Sequence, residues 1–342
     1  MLGVIEIGVI GGSGFAGSEV LRLAVAHPEL HVAWATGESQ AGTPIADLYP
    51  ALAAAHPGEA FATIDPALLD SVVVAVLALP HGASQSLMAE VAGGVKWVID
   101  LAADFRLQDP SLYDVWYGAP HEQPDLLPSF AYGLPELYRT DIAQATRVAA
   151  PGCYPTSVIL AVAPLVLAGA VDRSRVIADA ASGASGAGRA LKANTAFCSV
   201  AEDFTAYGLL THRHTPEMEA HTGASILFTP HLAPMNRGIL ATCYGAATDA
   251  VSSTEDVLDI LERAYADEPF VVVSERPPST KATTGSNCAH LSARYDERTG
   301  TVISMCAIDN LVKGTAGQAI QCLNLMAGLP ETLGLPIVGM AP

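Results

Sequence analysis

The sequence is short of positive charge, has no cysteine pairing pattern and has no long apolar run. Each shortage removes a class of function. Its 17 Lys and Arg face 35 Asp and Glu, for a formal net charge of −18. Nucleic acid and anionic membranes are therefore excluded as partners, because their phosphates would meet a repelling field. An anionic substrate must be held by a few local positive groups. The six cysteines, at 153, 198, 243, 288, 306 and 322, show no CxxC spacing. Neither a disulfide framework nor a structural zinc site is implied, and unpaired thiols point to a reducing, cytoplasmic setting. The longest apolar stretches, 72–79 and 158–171, are too short to span a bilayer, and Pro164 interrupts the second. The opening MLGVIEIGVIGG lacks a basic region and a cleavage-like site, so it reads as a strand and not as a leader.

What is present is 342 residues, half of them apolar, enough for about two domains. Residues 4–10 are strand-like, a glycine turn follows, and 18–26 carry leucine and valine at helical spacing. Strands at 31–36, 72–79 and 97–101 continue an alternation typical of a parallel sheet wrapped by helices. The pattern predicts a doubly wound dinucleotide-binding domain over residues 1–150. Beyond it, 175–180, 224–229, 238–247, 270–273 and 302–308 read as strands with fewer helices between them. That texture predicts an α+β domain with a largely antiparallel sheet, bearing a helix at 254–265. Residues 314–327 have a helical pattern that periodicity alone does not place.

Four clusters carry chemistry. Gly11, Gly14 and Gly17 lie between strand and helix, where such glycines let backbone amides approach a pyrophosphate, although a plain tight turn has the same composition. In AAPGCYPTSVIL, Cys153 sits between two prolines at the foot of an apolar helix, a place that favours thiolate; a small buried hydrophobe is the alternative. In THRHTPEM, Pro216 suits a first helical turn with Thr215 as N-cap, and His214 has Glu217 three residues on to orient it for proton transfer. A surface helix start, or a metal site from His212, His214, Glu217 or His221, competes with that reading. Finally, SGASGAGR at 182–189 could wrap a phosphate or be a flexible loop, and Arg106, after the 97–101 strand, could grip an anion or pair with Asp104 or Asp109.

Taken together, GGSGFAGSEVLRL, ALPHG, DLAADFRL, YGLPEL, APGCYPTSVIL, ASGASGAGR, HRHTPEM, HLAPMNRGIL and AIDNLVKGTAGQAIQ span nearly the whole chain. In this order they resemble the N-acetyl-γ-glutamyl-phosphate reductase family, which is related to aspartate-semialdehyde dehydrogenase and more remotely to glyceraldehyde-3-phosphate dehydrogenase. The resemblance implies a Rossmann-like NADP(H)-binding domain at 1–150, to which a C-terminal segment 313–342 returns, and a catalytic α+β domain at 151–312. It implies reduction of an acyl phosphate through a thioester on Cys153, with His214 as acid/base supported by Glu217. Cofactor contacts are expected from Gly11, Ser13, Gly14, Phe15, Ala16, Gly17, Thr36, Ser39, Ser185, Gly186 and Asn310, and substrate contacts from Arg106 and His212. No metal, nucleic acid or membrane is expected. A homo-oligomer, dimer or tetramer, is expected. One departure stands out: no Lys or Arg lies between Arg22 and Lys96, so Ser13, Thr36, Ser39 and backbone amides are left to hold the 2′-phosphate.

Overall fold

Short strands buried on both faces need helices above and below them, and the first half of the chain supplies that arrangement. The computed structural model describes residues 4–340. In it β1 (Ile5–Ile10), β2 (Leu30–Ala35), β3 (Val74–Leu77), β4 (Trp97–Asp100), β5 (Ala131–Tyr132) and β6 (Arg147–Ala149) form one parallel sheet in the order β2-β1-β3-β4-β6-β5. The order reverses between β1 and β3, which places a ligand crevice at their carboxyl ends. The helix after β1 starts at Phe15, not at Ser18. This first compact unit runs through Asp114 and adds Ala119–Pro151 and Thr315–Leu335.

The C-terminal segment expected as one piece at 313–342 is divided. Its helix, Gly317–Met326, belongs to the first unit, where Gln318 Nε2 donates to the Gly133 carbonyl at 2.7 Å and Asn324 Oδ1 meets His27 Nε2 at 2.9 Å. Residues up to Gly314, and those from Pro336 on, belong to the second unit, while Met1–Gly3, Ala341 and Pro342 lie outside the described residues. A π-turn at Val312–Ala316, which periodicity did not predict, precedes the helix.

The second unit holds β7 (Val171–Gly183), β8 (Thr205–Ala206), β9 (Ile226–Ala233), β10 (Ile239–Ala247), β11 (Val271–Val273), β12 (Ala289–Asp296) and β13 (Thr301–Ile308). They form a sheet in the order β11-β12-β13-β10-β7-β9-β8. It is mixed, with β7–β9 and β11–β12 parallel and the other neighbours antiparallel. β12 was not expected, although Ala289, Leu291, Ala293 and Tyr295 alternate with His290, Ser292, Arg294 and Asp296; it has no β-branched residue, and pairing on both sides supplies what propensity does not. The helix Thr254–Ala264 opens with a capping box in which Ser253 and Asp256 exchange side-chain and backbone bonds.

The helix Cys153–Leu167 is buried almost all round. Pro164 has no N–H, so the Leu160 carbonyl loses its intrahelical partner. The Tyr265 hydroxyl donates to it at 2.7 Å in the interior. Tyr265→Phe should therefore lower stability by about 1–3 kcal/mol, seen as a smaller urea midpoint with an unchanged m-value. Among the described residues no helix is long and apolar enough to cross a membrane.

Candidate active site

The chain turns at Pro151-Gly152 and enters its helix at Cys153, so the thiol occupies the first turn. Pro155 costs that turn nothing, since a first-turn N–H has no helical acceptor. Thr156 returns both its amide and its hydroxyl to the Gly152 carbonyl, at 2.9 and 3.1 Å. Cys153 is partly exposed, whereas Cys243, Cys288, Cys306 and Cys322 are buried. The thiol at Cys153 is thus not one of the buried core cysteines.

The THRHTPEM stretch folds against this helix start. Its helix runs Thr215–Thr222 with Pro216 in the first turn, but His214, not Thr215, is the N-cap residue, and no side chain caps it. Glu217 is fully buried, and its Oε1 accepts from the Gly152 amide at 2.8 Å. The carboxylate therefore ties the second helix to the backbone just before the thiol. Tyr154, next to Cys153, packs its ring 5.6 Å from His212, 6.0 Å from His214 and 5.2 Å from Phe228. Its hydroxyl donates to the His231 carbonyl at 3.0 Å and accepts from Tyr207 at 3.2 Å. Tyr154 is the piece that reasoning from sequence missed. Its position beside the cysteine was the available signal.

His212 was expected to meet substrate. Burial among these rings, with Arg213 adding to it, pushes its pKa down to about 4, so at neutral pH it offers no positive charge to an anion. Its Nδ1 instead accepts from the His214 amide at 3.3 Å and shapes the turn that presents His214. Among the described residues no group of His, Cys, Asp or Glu is arranged to hold a metal ion, so the metal alternative for this cluster gains no ligand set.

The SGASGAGR loop is ordered. The amides of Ala184 and Ser185 donate to the carbonyls of Met235 and Asn236, which ties the loop to the segment before β10. Gly186 closes over Ser182 Oγ, 2.8 Å from where a Cβ would sit. Asn310 is buried; its Oδ1 accepts from the Gly238 amide at 2.8 Å and its Nδ2 donates to Ser185 Oγ at 3.0 Å. These bonds make Ser185 and Asn310 a clip between loops.

In the first unit, Gly11 adopts φ +85°, and a Cβ on Gly17 would lie 2.4 Å from the Gly11 carbonyl oxygen, so the turn closes only with glycine at both places. Tyr49 donates to the Ser13 carbonyl at 2.7 Å and braces the turn. Gly14, the N-cap, brings no side-chain cap, so the first-turn amides around Phe15 and Ala16 face a partly exposed surface. These residues fit a dinucleotide pyrophosphate. Thr36 is buried and its hydroxyl accepts from the Gly11 amide at 3.1 Å, so it holds the turn; Ser39 is exposed in the turn Glu38–Gln40.

Arg106 lies at the strand ends of the first unit. It is buried, with Nε donating to the Ala150 carbonyl and Nη2 to the Leu101 carbonyl, both at 2.8 Å, so two of its donors stitch strand ends. Nearby, buried Asp104 pairs with His81 and accepts from the Gly82 and Ser84 amides. Burial works to raise its pKa, but those bonds outweigh it and hold Asp104 below the ordinary range. Asp100 goes the other way: burial raises it to about 7, against the bonds from the Ser84 hydroxyl and the Ala102 amide.

Comparison with known proteins agrees with this layout. The semialdehyde dehydrogenase NAD binding domain matches residues 6–145, and the semialdehyde dehydrogenase dimerisation domain matches 153–310. The chain is 44% identical to N-acetyl-gamma-glutamyl-phosphate reductase of Citrifermentans bemidjiense, covering 99% of this chain and 100% of that protein. It is 42% identical to N-acetyl-gamma-glutamyl-phosphate reductase 1 of Pseudomonas putida with the same coverage. Among solved structures, aspartate semialdehyde dehydrogenase II of Vibrio cholerae in complex with ASA shares the fold, with a TM-score of 0.70 at 17% identity over 95% of this chain and 98% of that one. The Candida albicans aspartate semialdehyde dehydrogenase with NADP shares it at a TM-score of 0.69 and 13% identity, over 95% of this chain and 98% of that one.

Proposed function

Because the chain belongs to the semialdehyde dehydrogenase family and, within it, to the N-acetyl-γ-glutamyl-phosphate reductases, we propose that Cys153 is its nucleophile and His214 its acid/base. The reaction is the NADPH-dependent reductive dephosphorylation of N-acetyl-L-glutamyl 5-phosphate to N-acetyl-L-glutamate 5-semialdehyde and phosphate, in arginine biosynthesis. The glycine turn Gly11–Gly17 holds the pyrophosphate, and bound NADPH supplies the hydride.

The Cys153 thiolate attacks the acyl carbon; the C–S bond forms as the C–O bond to phosphate breaks, and phosphate leaves with the electron pair. Reduction of the thioester leaves a thiohemiacetal oxyanion on Cys153, stabilised by first-turn amides of its helix and by His214. His214 as imidazolium protonates that oxyanion and then takes the hydroxyl proton back as the C=O bond re-forms and the C–S bond breaks, releasing aldehyde and regenerating thiolate. Glu217 keeps the turn before Cys153 in register through the Gly152 amide. The observation that carries this reading is that Tyr154, adjoining the thiol, packs on both His212 and His214 and so joins PGCYPT to HRHTPE.

The deciding experiment is NADP-linked, phosphate-dependent oxidation of N-acetylglutamate semialdehyde beside aspartate semialdehyde. Preference for the second substrate would overturn the assignment. We further propose a homo-oligomer in a reducing cytoplasm. On the sheet face away from the Cys153 helix, Ile177, Tyr244 and Ile303 stand side by side on β7, β10 and β13, half-buried and largely apolar, which suits self-association. Tyr244→Arg should shift the sedimentation coefficient toward the monomer, and an unchanged value would remove this face from the interface.

A further inference from the structure

We infer that Gly314 is a positioning residue for the nucleophile: the π-turn Val312–Ala316 sets a glycine against the β-carbon of Cys153, and only a hydrogen there leaves the thiol in place. The inference rests on the reading of Cys153 as nucleophile. A Cβ on Gly314 would lie 2.8 Å from Cys153 Cβ, 3.2 Å from Cys153 Cα and 3.3 Å from Ile308 Cδ1. Carbon atoms in contact rest at about 3.5–4.0 Å, so something would have to shift.

Neither wall can yield easily. On one side the Cys153 backbone is fixed by the Gly152 amide on Glu217 and by the Thr156 amide and hydroxyl on the Gly152 carbonyl. Ile308, fully buried at the end of β13, closes the same side. On the other side the Gly314 amide donates to the Asp309 carbonyl at 2.9 Å, the wide i to i−5 bond of a π-turn. The Asp309 carboxylate, itself fully buried, accepts from the Leu311, Val312 and Gly285 amides at 2.8, 3.1 and 2.7 Å. Lys313, the preceding residue, is also fully buried.

Gly314 is not among the described glycines with positive φ, so its backbone would accept alanine. In a helical turn alanine is the better former by about 0.5–1 kcal/mol. Any loss on Gly314→Ala is therefore one of space beside Cys153 and not of conformation.

The test uses the full chain. Gly314→Ala should lower kcat by about 10²-fold, as expected for a reacting atom displaced by about 1 Å, and should slow alkylation of Cys153 by iodoacetamide. The Kd for NADPH should stay within about twofold. Independently of turnover, the double variant Cys153→Gly/Gly314→Ala should recover most of the Tm that Gly314→Ala loses, because the conflicting β-carbon is gone. If Gly314→Ala does not fold, recovery of folding in the double variant supports the contact and continued failure overturns it. A kcat and alkylation rate like the parent's, or a Tm loss unchanged in the double variant, also overturns it. Turnover retained by Cys153→Ser would instead overturn the nucleophile assignment, while the Tm comparison still reports on the contact.

Discussion

Cys153→Ser should lose about 10⁴–10⁶-fold in kcat while its Kd for NADPH, measured by fluorescence titration, stays at the parent value. The substitution keeps shape at the first turn of a helix whose entry is fixed by Glu217 and Thr156, so the fold has little reason to respond. What changes is the attacking atom. A serine hydroxyl at neutral pH is almost entirely protonated, and the ester it would form is a poorer hydride acceptor than a thioester. On the proposed reading cofactor binding rests on other atoms, the glycine turn at Gly11–Gly17, and should report an intact first unit. A variant that kept its turnover would place the nucleophile elsewhere in the chain.

His214→Asn should cost about 10²–10⁴ in kcat, the usual share of general acid–base catalysis. Asparagine is a good N-cap residue, so the helix Thr215–Thr222 should keep its start. The diagnostic readout is the pH–rate profile, which should lose the limb that depends on the imidazole. A profile of unchanged shape would show that the proton moves by another route, whatever the size of the rate loss. His212 gives a control at the same turn. With its pKa near 4 it is neutral across the working range, so it should contribute no limb of its own.

The pieces legible in the sequence were those with a repeated local signal. Strand, glycine turn and helix around Gly11–Gly17 follow from periodicity and composition, and so does the helix that begins at Cys153. β12 was legible by its alternation, Ala289, Leu291, Ala293 and Tyr295 against four polar residues, and was passed over because it has no β-branched residue to mark it as a strand. Long polar side chains were the hardest to read. Arg106 and Asn310 lie in the stretches a family resemblance marks for ligands, and they also donate to the carbonyls of Leu101 and Ala150 and to Ser185. Sequence gives the reach of such a side chain but not which buried carbonyl or hydroxyl needs a donor. Glu217 was read as a partner of His214, and its structural bond to Gly152 could not be foreseen, because that amide becomes its neighbour only when two separate helices pack. Gly314 gave no signal at all: a glycine in a turn-rich segment looks like any other.

The contact between Cys153 and Gly314 also orders events in time. The thiol leaves the ribosome long before the residue that packs against its β-carbon. At about 5–20 residues per second, the roughly 160 residues between them take on the order of 10–30 s to synthesise. For that interval the nascent chain can form the Cys153 helix but lacks the glycine turn that packs against its β-carbon. A truncated chain ending before β13 would therefore display Cys153 without the turn that packs against it.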